Sequence, residues 1–274
     1  MLDRTGFSPG EIDGHQGLNL KRALGAFQTS RGLQASGTLD QATWERLQQD
    51  SGDQPPLVTY TLTDADIGGP FTPDIPADLT QQAKLGALGY RTPLEALAER
   101  FHASPSLLTA LNPGAAFAAA GESITVPNLG GAPPTAAATN LTVMVTKATS
   151  ALTLVDDSGR VVFHAPVTSG SEHDPLPIGN WKVNGIRQNP TFNYNPALFW
   201  DARPDQSKAT IPAGPNNPVG TVWIDISKEH YGIHGTPEPS KIGHVESHGC
   251  VRLTNWDAQR VAAMIKPGTK VIFQ

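Results

Sequence analysis

The residues best suited to covalent chemistry lie in two short runs near the C-terminal end of the chain. The runs are Tyr231-Gly232-Ile233-His234-Gly235-Thr236 and Ser247-His248-Gly249-Cys250-Val251-Arg252-Leu253. Cys250 is the only cysteine among the 274 residues. A thiol attacks a carbonyl well only as its thiolate, and a nearby imidazole can accept the proton. The two runs therefore indicate a cysteine nucleophile, Cys250, with His234 as its general base.

Other residues of the same runs are suited to binding a substrate. The backbone amides near Gly249 and Cys250 could donate to a developing oxyanion, and a glycine there lets a carbonyl approach the backbone. Arg252 carries a permanent positive charge that suits a substrate carboxylate. The predicted substrate-binding residues are Tyr231, Ser247, His248, Gly249 and Arg252.

Two other interpretations of these residues stay open. A lone cysteine often packs in a core as a small apolar side chain. Zinc is the second alternative, because four side chains in this region are potential ligands: His234, His244, His248 and Cys250. The sequence has no C-x-x-C or H-E-x-x-H spacing, which disfavours a metal site. We therefore expect neither a metal nor a cofactor.

The composition argues against several classes of protein. With 38% hydrophobic and 16% charged residues, the chain is typical of a globular protein. Its formal net charge of -5 and its scattered basic residues argue against nucleic acid or an anionic membrane as a partner. The sequence contains no run of about 18 apolar residues and therefore predicts no membrane span. A single cysteine cannot form a disulfide within the chain. The first residues lack the features of a signal peptide, which leaves both a cytosolic and an exported protein possible.

Short strands are predicted around the two runs. A Gly-, Pro- and Ala-rich stretch at 129–140 predicts a linker. After it, alternating apolar residues and turn signals predict strands at 141–145, 151–155, 161–163, 179–184, 222–226 and 270–273. One helix is predicted from Trp256 to Ile265, with its cap near Thr254. Residues 141–274 are therefore expected to form a mostly-β domain.

Two smaller units precede the linker. Residues 1–52 contain two helical patterns, one over Leu20–Phe27 and one that begins at the N-cap Asp40. The predicted elements of residues 56–128 are a strand at 58–62, helices that begin at Thr92-Pro93 and Ser104-Pro105, and a closing strand at 123–127. The chain is expected to contain more than one compact unit.

The two reactive runs resemble the signature of L,D-transpeptidases of the YkuD type. Further matches to that family are Pro177-Ile178-Gly179 and residues 214–220, each of which precedes a predicted strand. The resemblance covers about residues 141–274. It implies that Cys250 forms an acyl-enzyme, that His234 is the base, and that Gly235 orients this histidine through its backbone.

The resemblance also implies a reaction. Cys250 would attack the carbonyl between a diaminopimelate-type centre and the terminal D-Ala of a peptidoglycan tetrapeptide stem, and D-Ala would leave. An amine would then resolve the thioester, which forms a 3-3 cross-link or attaches another acceptor. Beta-lactams of the carbapenem type are the expected inhibitors.

The N-terminal units resemble wall-binding modules. Residues 8–50 resemble the small helical peptidoglycan-binding domain of cell-wall enzymes, through Phe27-Gln28, Gly32-Leu33, Gly37 and Asp40. Residues 56–128 resemble a LysM module, a family that binds N-acetylglucosamine-containing glycans. The resemblances imply peptidoglycan as partner and a location in the periplasm or cell envelope.

The expected fold class is multidomain α+β. It comprises a small helical domain at 1–52, a LysM-like α/β module at 56–128, a linker at 129–140 and a mostly-β YkuD-type catalytic domain at 141–274. Alternative functions stay open: an L,D-carboxypeptidase that uses water as acceptor, an amidase or endopeptidase, and a non-catalytic wall-binding protein. The aromatic segment 191–200 is either a lid over the donor site or a packed loop.

Overall fold

The N-terminal unit is helical, as predicted. The computed structural model describes residues 1–52, 54–130, 140–247 and 249–274. A 3-10 helix at Asp3–Thr5 precedes two helices, α1 (Leu18–Ser30) and α2 (Gln41–Ser51). Asp40 caps α2, because its carboxylate accepts a hydrogen bond of 2.8 Å from the amide of Thr43.

The second unit contains two strands that enclose four helices. Its elements are β1 (Leu57–Thr61), α3 (Asp64–Ile67), α4 (Leu79–Gln82), α5 (Pro93–Arg100), α6 (Pro105–Leu111) and β2 (Ser123–Pro127). β1 and β2 pair antiparallel, and the hydroxyls of Thr92 and Ser104 cap α5 and α6. The predicted order of strand, two helices and strand is confirmed, while the assignment to the LysM family stays a prediction. α3 and α4 were not predicted, because four residues are too few to show a helical period.

The C-terminal unit is mostly β. Its strands are β3 (Leu141–Thr146), β4 (Ala151–Asp156), β5 (Val161–Pro166), β6 (Thr168–Ser169), β7 (Gly179–Gln188), β8 (Phe192–Tyr194), β9 (Ala209–Ile211), β10 (Val222–Ile226), β11 (Gly232–His234), β12 (Val251–Arg252) and β13 (Lys270–Phe273). One helix, α7 (Asn255–Met264), follows β12. The expected multidomain α+β fold is thus observed. The domain boundaries stay a prediction, and most of the predicted linker, residues 131–139, lies outside the described residues.

Nine of these strands form one sheet that curls on itself. Their order is β5-β4-β3-β13-β7-β10-β11-β12-β6, and β8 pairs with β9 separately. β5 and β6 stand at opposite ends of this order, although only Val167 separates them along the chain. The sheet is therefore bent into a barrel-like shape around an apolar core.

The core of the C-terminal unit lies between the curled sheet and α7. Four side chains of β10, β11 and β12 are each 0% exposed: Val222, Ile224, Ile233 and Val251. Burial of each such side chain contributes about 1.5–3 kcal/mol to folding. This packing holds β10, β11 and β12 in fixed register, and the reactive residues lie in β11 and directly before β12.

The second unit packs on the C-terminal unit through the chain between β1 and α5. Leu88, Tyr194 and Ile211 form a shared buried cluster, which joins this segment to the β8–β9 hairpin. The amide of Leu88 donates to the carbonyl of Ala213 at 3.0 Å. Arg203 forms an ion pair with Asp78 at the edge of the same contact. The two units are therefore in close contact through buried apolar and polar groups.

A buried ion cluster joins all three units. Asp3 of the first unit contacts His102 of the second at 2.9 Å and accepts a hydrogen bond of 2.7 Å from Arg260 of α7. Burial alone would raise the pKa of Asp3, but His102 and Arg260 outweigh this effect and hold the pKa below its ordinary range. The cluster therefore favours the docked arrangement only while Asp3 is ionised.

Replacing Asp3 with alanine is expected to lower the free energy of unfolding by about 3–5 kcal/mol, because Arg260 would stay buried without its carboxylate. The depressed pKa means that the stabilisation is complete above about pH 4 and is lost as the pH falls further. Chemical denaturation near neutral and near pH 3 measures both effects. The exposed Asp74 provides the matched control, since Asp74→Ala should change stability by no more than about 0.5 kcal/mol. Equal effects of the two substitutions would contradict the stabilising role of the cluster.

Among the described residues, no helix combines the length and the apolar character that crossing a membrane requires.

Candidate active site

Strand pairing brings the two reactive runs together. β10 pairs antiparallel with β11, and β11 pairs in parallel with β12. In this register Ile233 lies opposite Val251, and His234 lies opposite Arg252. Cys250 immediately precedes β12, so its thiol lies at the strand end beside β11. The predicted base therefore lies in β11 and the predicted nucleophile directly before the adjacent β12, although 16 positions separate them in sequence.

His234 is held in one orientation and one tautomer. It is 4% exposed, and its Nδ1 lies 2.7 Å from the carbonyl oxygen of Gly235. A carbonyl oxygen can only accept, so Nδ1 carries the proton and Nε2 keeps its lone pair. The backbone of Gly235 thus makes the contact that the family resemblance implies. An Nε2 lone pair is what a general base requires.

Trp223 is a part of this site that the sequence reasoning missed. Its ring stacks on the imidazole of His234 with centroids 5.4 Å apart and an interplanar angle of 19°. The two residues are direct cross-strand partners in β10 and β11. Gly232 leaves room for the indole, since a Cβ there would lie 2.5 Å from the ring. The alternating pattern of residues 222–226 placed Trp223 in a strand, but β11 was not predicted, so its partner stayed unknown.

Cys250 is partly exposed, and its thiol is neutral at rest. Sγ donates to the carbonyl oxygen of His230 at 4.0 Å. Burial raises the pKa of the Cys250 thiol, the backbone amide of Gly232 and the charge of Arg252 oppose this, and the Asp174 carboxylate adds to it. Among the described residues, Sγ has no hydrogen bond to the imidazole of His234. Such contacts in free enzymes are often long and shorten when substrate binds.

The imidazole of His234 is also neutral. Burial lowers the pKa of His234 to about 3, and the positive charge of Arg252 lowers it further in the same direction. The residue types alone indicate a thiolate, whereas the structure favours a neutral thiol and a neutral imidazole. The physical reason is that burial disfavours both charged forms. The proton would then leave sulfur only as attack occurs.

These pKa directions predict a flat pH profile for thiol acylation between about pH 5 and pH 8. A lowered imidazole pKa keeps the base unprotonated throughout this range, and a raised thiol pKa delays free thiolate to higher pH. The rate constant for acylation by a carbapenem, followed by intact mass at each pH, measures the profile. An acid limb with a midpoint near pH 6.5 would show instead that His234 titrates like an exposed histidine.

Gly249 and Tyr231 pack directly on one another. Gly249 has φ +95°, and a Cβ at this position would lie 2.6 Å from the Tyr231 ring. The approach of a substrate carbonyl to this glycine stays a prediction. The structure gives a further reason for glycine here, because the backbone conformation and the tyrosine ring both require it. Tyr231 thereby borders the site beside Cys250.

Ser247 is buried behind the nucleophile loop. Its hydroxyl donates to the carbonyl of Cys250 at 2.6 Å and accepts from the amide of Gly170 at 2.8 Å. At 4% exposure it does not face a groove. The predicted substrate contact is therefore replaced by a structural one, in which Ser247 fixes the loop before Cys250 to residue 170. His248, also predicted to bind substrate, lies outside the described residues.

Arg252 presents a buried donor next to Cys250. Its Nε has no hydrogen-bond partner among the described residues, and burial lowers the pKa of its guanidinium. A buried donor without a partner is costly, so such a group favours an acceptor from a ligand. On the described part of the chain, no group of three or more histidine, cysteine or carboxylate side chains is arranged to hold a metal ion.

A second loop, which contains His173 and Asp174, lies near the nucleophile. Asp174 lies near enough to Cys250 to raise the pKa of its thiol, and one of its carboxylate oxygens is buried without a partner among the described residues. His173 beside it stacks on Trp200 with centroids 4.5 Å apart. Phe199 packs in the cluster of the β8–β9 hairpin, whereas Trp200 is 59% exposed. Within the segment 191–200, Phe199 is thus packed and Trp200 is largely exposed, and a role of the segment as a lid stays a prediction.

Comparisons with known proteins identify families that two parts of the chain match. Residues 140–273 match YkuD, the family of L,D-transpeptidase catalytic domains, and residues 1–47 match a family of peptidoglycan binding domains. The chain is 29% identical over 194 residues to the protein of Bacillus subtilis (strain 168) that is named as the L,D-transpeptidase YkuD. That alignment covers 70% of this chain and 97% of the relative.

Two further comparisons cover smaller shares. A protein of Escherichia coli (strain K12) named as the L,D-transpeptidase YbiS is 36% identical over 112 residues, which is 39% of this chain and 36% of the relative. A solved L,D-transpeptidase from Mycobacterium smegmatis matches with a TM-score of 0.40 and 19% identity, over 49% of this chain and 58% of that one. The chain therefore spans nearly all of the B. subtilis relative, about a third of the E. coli relative and over half of the solved chain. The chain therefore contains a catalytic domain of the YkuD family of L,D-transpeptidases at residues 140–273 and a domain of the peptidoglycan-binding family at residues 1–47.

Proposed function

We propose that the chain forms a thioester on Cys250 with peptidoglycan tetrapeptide stems and transfers the acyl group to an amine. One observation carries the proposal. The parallel pairing of β11 with β12 sets His234 beside Arg252, and Arg252 lies two residues after Cys250. A base, a thiol and a cation thus converge, which is what acyl transfer from a carboxylate-bearing peptide requires.

The first half-reaction forms the acyl-enzyme. Nε2 of His234 takes the proton of the Cys250 thiol as sulfur attacks the carbonyl that precedes the terminal D-Ala. The tetrahedral intermediate collapses, the carbon–nitrogen bond breaks, and the imidazolium returns its proton to the leaving amine of D-Ala. The products are a thioester on Cys250, free D-Ala and a neutral imidazole.

Binding of the stem involves the charges around the thiol. The unpartnered Nε of Arg252 supports a contact with a carboxylate of the donor stem. The amide of Gly232, which lowers the pKa of the Cys250 thiol, would stabilise negative charge as it develops on sulfur. Tyr231 and the exposed face of Trp200 would border the donor groove.

The second half-reaction resolves the thioester. His234 removes a proton from the amine of a second stem, the nitrogen attacks the thioester carbonyl, and the carbon–sulfur bond breaks. The thiolate of Cys250 recovers the proton from the imidazolium, and a new amide joins the two stems as a 3-3 cross-link. Another amine acceptor would react by the same route, and water would give an L,D-carboxypeptidase.

The same thiol is expected to react with carbapenems. The strained amide carbonyl of a beta-lactam is open to attack by a thiol and leaves a stable acyl group on sulfur. Because the substrate is the cell wall, we place the enzyme's action in the periplasm or cell envelope. The N-terminal unit would raise the local concentration of stems by binding the wall.

Product analysis tests the proposal. The full chain is incubated with defined disaccharide tetrapeptides, and the muropeptides are separated and identified by mass. Release of D-Ala together with dimers linked between two diaminopimelates is expected. Tripeptides without dimers would assign a carboxypeptidase, and cleaved cross-links without new dimers would assign an endopeptidase. If neither products nor a covalent carbapenem adduct were detected, the chain would be assigned as a wall-binding protein without catalytic activity.

A further inference from the structure

A side chain of the second unit forms a hydrogen bond to a residue that packs against the candidate active site. Glu99, in the last turn of α5, accepts a hydrogen bond of 2.9 Å from the Tyr90 hydroxyl and another of 3.0 Å from Nδ2 of Asn255. Burial raises the pKa of Glu99 to about 7, and the two hydrogen bonds act against this rise. A carboxylate placed between two units and bonded on both sides is fixed in position.

Asn255, the first residue of α7, is completely enclosed. It is 1% exposed, and its Nδ2 also donates to the carbonyl of Pro215 at 3.1 Å. Its Oδ1 accepts from the amide of Thr221 at 3.1 Å. Each polar atom of the amide is thus bonded, and Glu99 supplies one of its two acceptors. A buried amide that loses an acceptor is destabilised or turns to find another.

The Asn255 side chain fills the space directly against two glycines. A Cβ on Gly235 would lie 2.2 Å from Oδ1 of Asn255, and a Cβ on Gly220 would lie 2.0 Å from the same atom. Gly235 is the residue whose carbonyl oxygen holds Nδ1 of His234. Any movement of the amide therefore acts on the backbone that orients the imidazole.

We propose that Glu99 is a positioning residue for His234, acting across the unit boundary by fixing the side chain of Asn255. The second unit would then complete the catalytic site in addition to any role on the wall. The expected effect of Glu99 on the reaction rate rests on the proposed function, since His234 matters for turnover only if it is the base. The expected effect of Glu99 on the geometry of His234 does not depend on that function.

The test compares variants of the full chain that break the same interface at different places. Glu99→Ala removes one of the two acceptors of Asn255, and Glu99→Gln keeps an oxygen that can accept. Arg91→Ala is the matched control, because Arg91 donates across the same boundary to Asn216 at 2.9 Å without touching Asn255. Thermal unfolding of all three reports the loss of stability that a merely structural role would cause.

Two readouts separate positioning from stability. The first is the share of the Nδ1–H tautomer of His234, measured by nitrogen-15 histidine NMR and assigned with His234→Gln. The second is the rate constant of carbapenem acylation. Glu99→Ala should lower the tautomer share and slow acylation by about ten- to a hundredfold. Glu99→Gln should recover most of both, and Arg91→Ala should leave both unchanged.

A double-mutant cycle identifies the route of the effect. If Glu99 acts through Asn255, Glu99→Ala should slow acylation no further in an Asn255→Ala background. Additive losses, or an unchanged His234 tautomer in Glu99→Ala, would overturn the proposal. If Glu99→Ala does not fold, Glu99→Asp replaces it, because the carboxyl group retreats by one methylene from Asn255 and keeps its chemical type. A wild-type chain that is not acylated would refute the proposed function, while the tautomer measurement would still decide the inference.

Discussion

Replacing Cys250 with alanine is expected to abolish the covalent carbapenem adduct and all cross-linked product. The chain has no other cysteine, so the acyl group would have no second thiol to reach. The loss follows from chemistry, because no acyl-enzyme can form without the nucleophile. Intact mass after incubation with a carbapenem, and muropeptide analysis on tetrapeptide stems, measure the two effects.

The controls for this substitution address folding and specificity. Sγ makes a long contact of 4.0 Å, so the alanine variant should unfold at nearly the wild-type temperature. Wild-type protein in denaturant keeps the thiol but loses the imidazole and the oxyanion donors, and should therefore acylate far more slowly than the folded chain. An adduct on Cys250→Ala of the same mass as on the wild type would refute the assignment of the nucleophile.

The elements with strong local signals were predicted well. The caps Asp40, Thr92 and Ser104 mark helix starts that the structure contains. The alternating segments at 141–145 and 151–155 lie in β3 and β4. In each case the information is local, because a cap needs three residues and an alternation needs five. The shortest strands, such as β11 and β12, were missed because two or three residues do not establish a period.

The reactive pair was predictable for another reason. His234 and Cys250 stand in runs whose residue types have few alternative uses, and the resemblance to a family supplied their order. The support behind them was not predictable from the chain. Trp223 reaches His234 only through the register of β10 and β11, and Glu99 reaches Asn255 only because two units dock. Such contacts depend on tertiary packing that no local pattern encodes.

The protonation state of the pair also required the structure. The sequence places a cysteine, a histidine and an arginine close together, and their charges alone would favour a thiolate. Burial opposes the charged form of each group, because it raises the pKa of Cys250 and lowers the pKa of His234. It is the largest contribution to each pKa shift. The extent of burial is set by the curled sheet, so the choice between an ion pair and a neutral pair could not be read from residue types.

Replacing His234 with glutamine is expected to slow acylation at neutral pH by about 100- to 10,000-fold, the usual contribution of a positioned base. Because the pKa of the Cys250 thiol is raised, little free thiolate exists at this pH to compensate. The rate of the variant should therefore rise about tenfold for each pH unit, as hydroxide takes over the removal of the proton. The wild-type rate should stay nearly constant from about pH 5 to pH 8.

The slope with pH is the decisive part of this prediction. A substitution that merely damaged the fold would lower the rate by the same factor at each pH, whereas loss of the base makes the deficit shrink as the pH rises. His15→Gln is the matched control, because His15 is exposed in the first unit and should leave both rate and slope unchanged. If His234→Gln kept the wild-type profile, the proton would leave Cys250 by another path. The neutral thiol–imidazole pair would then have no catalytic meaning.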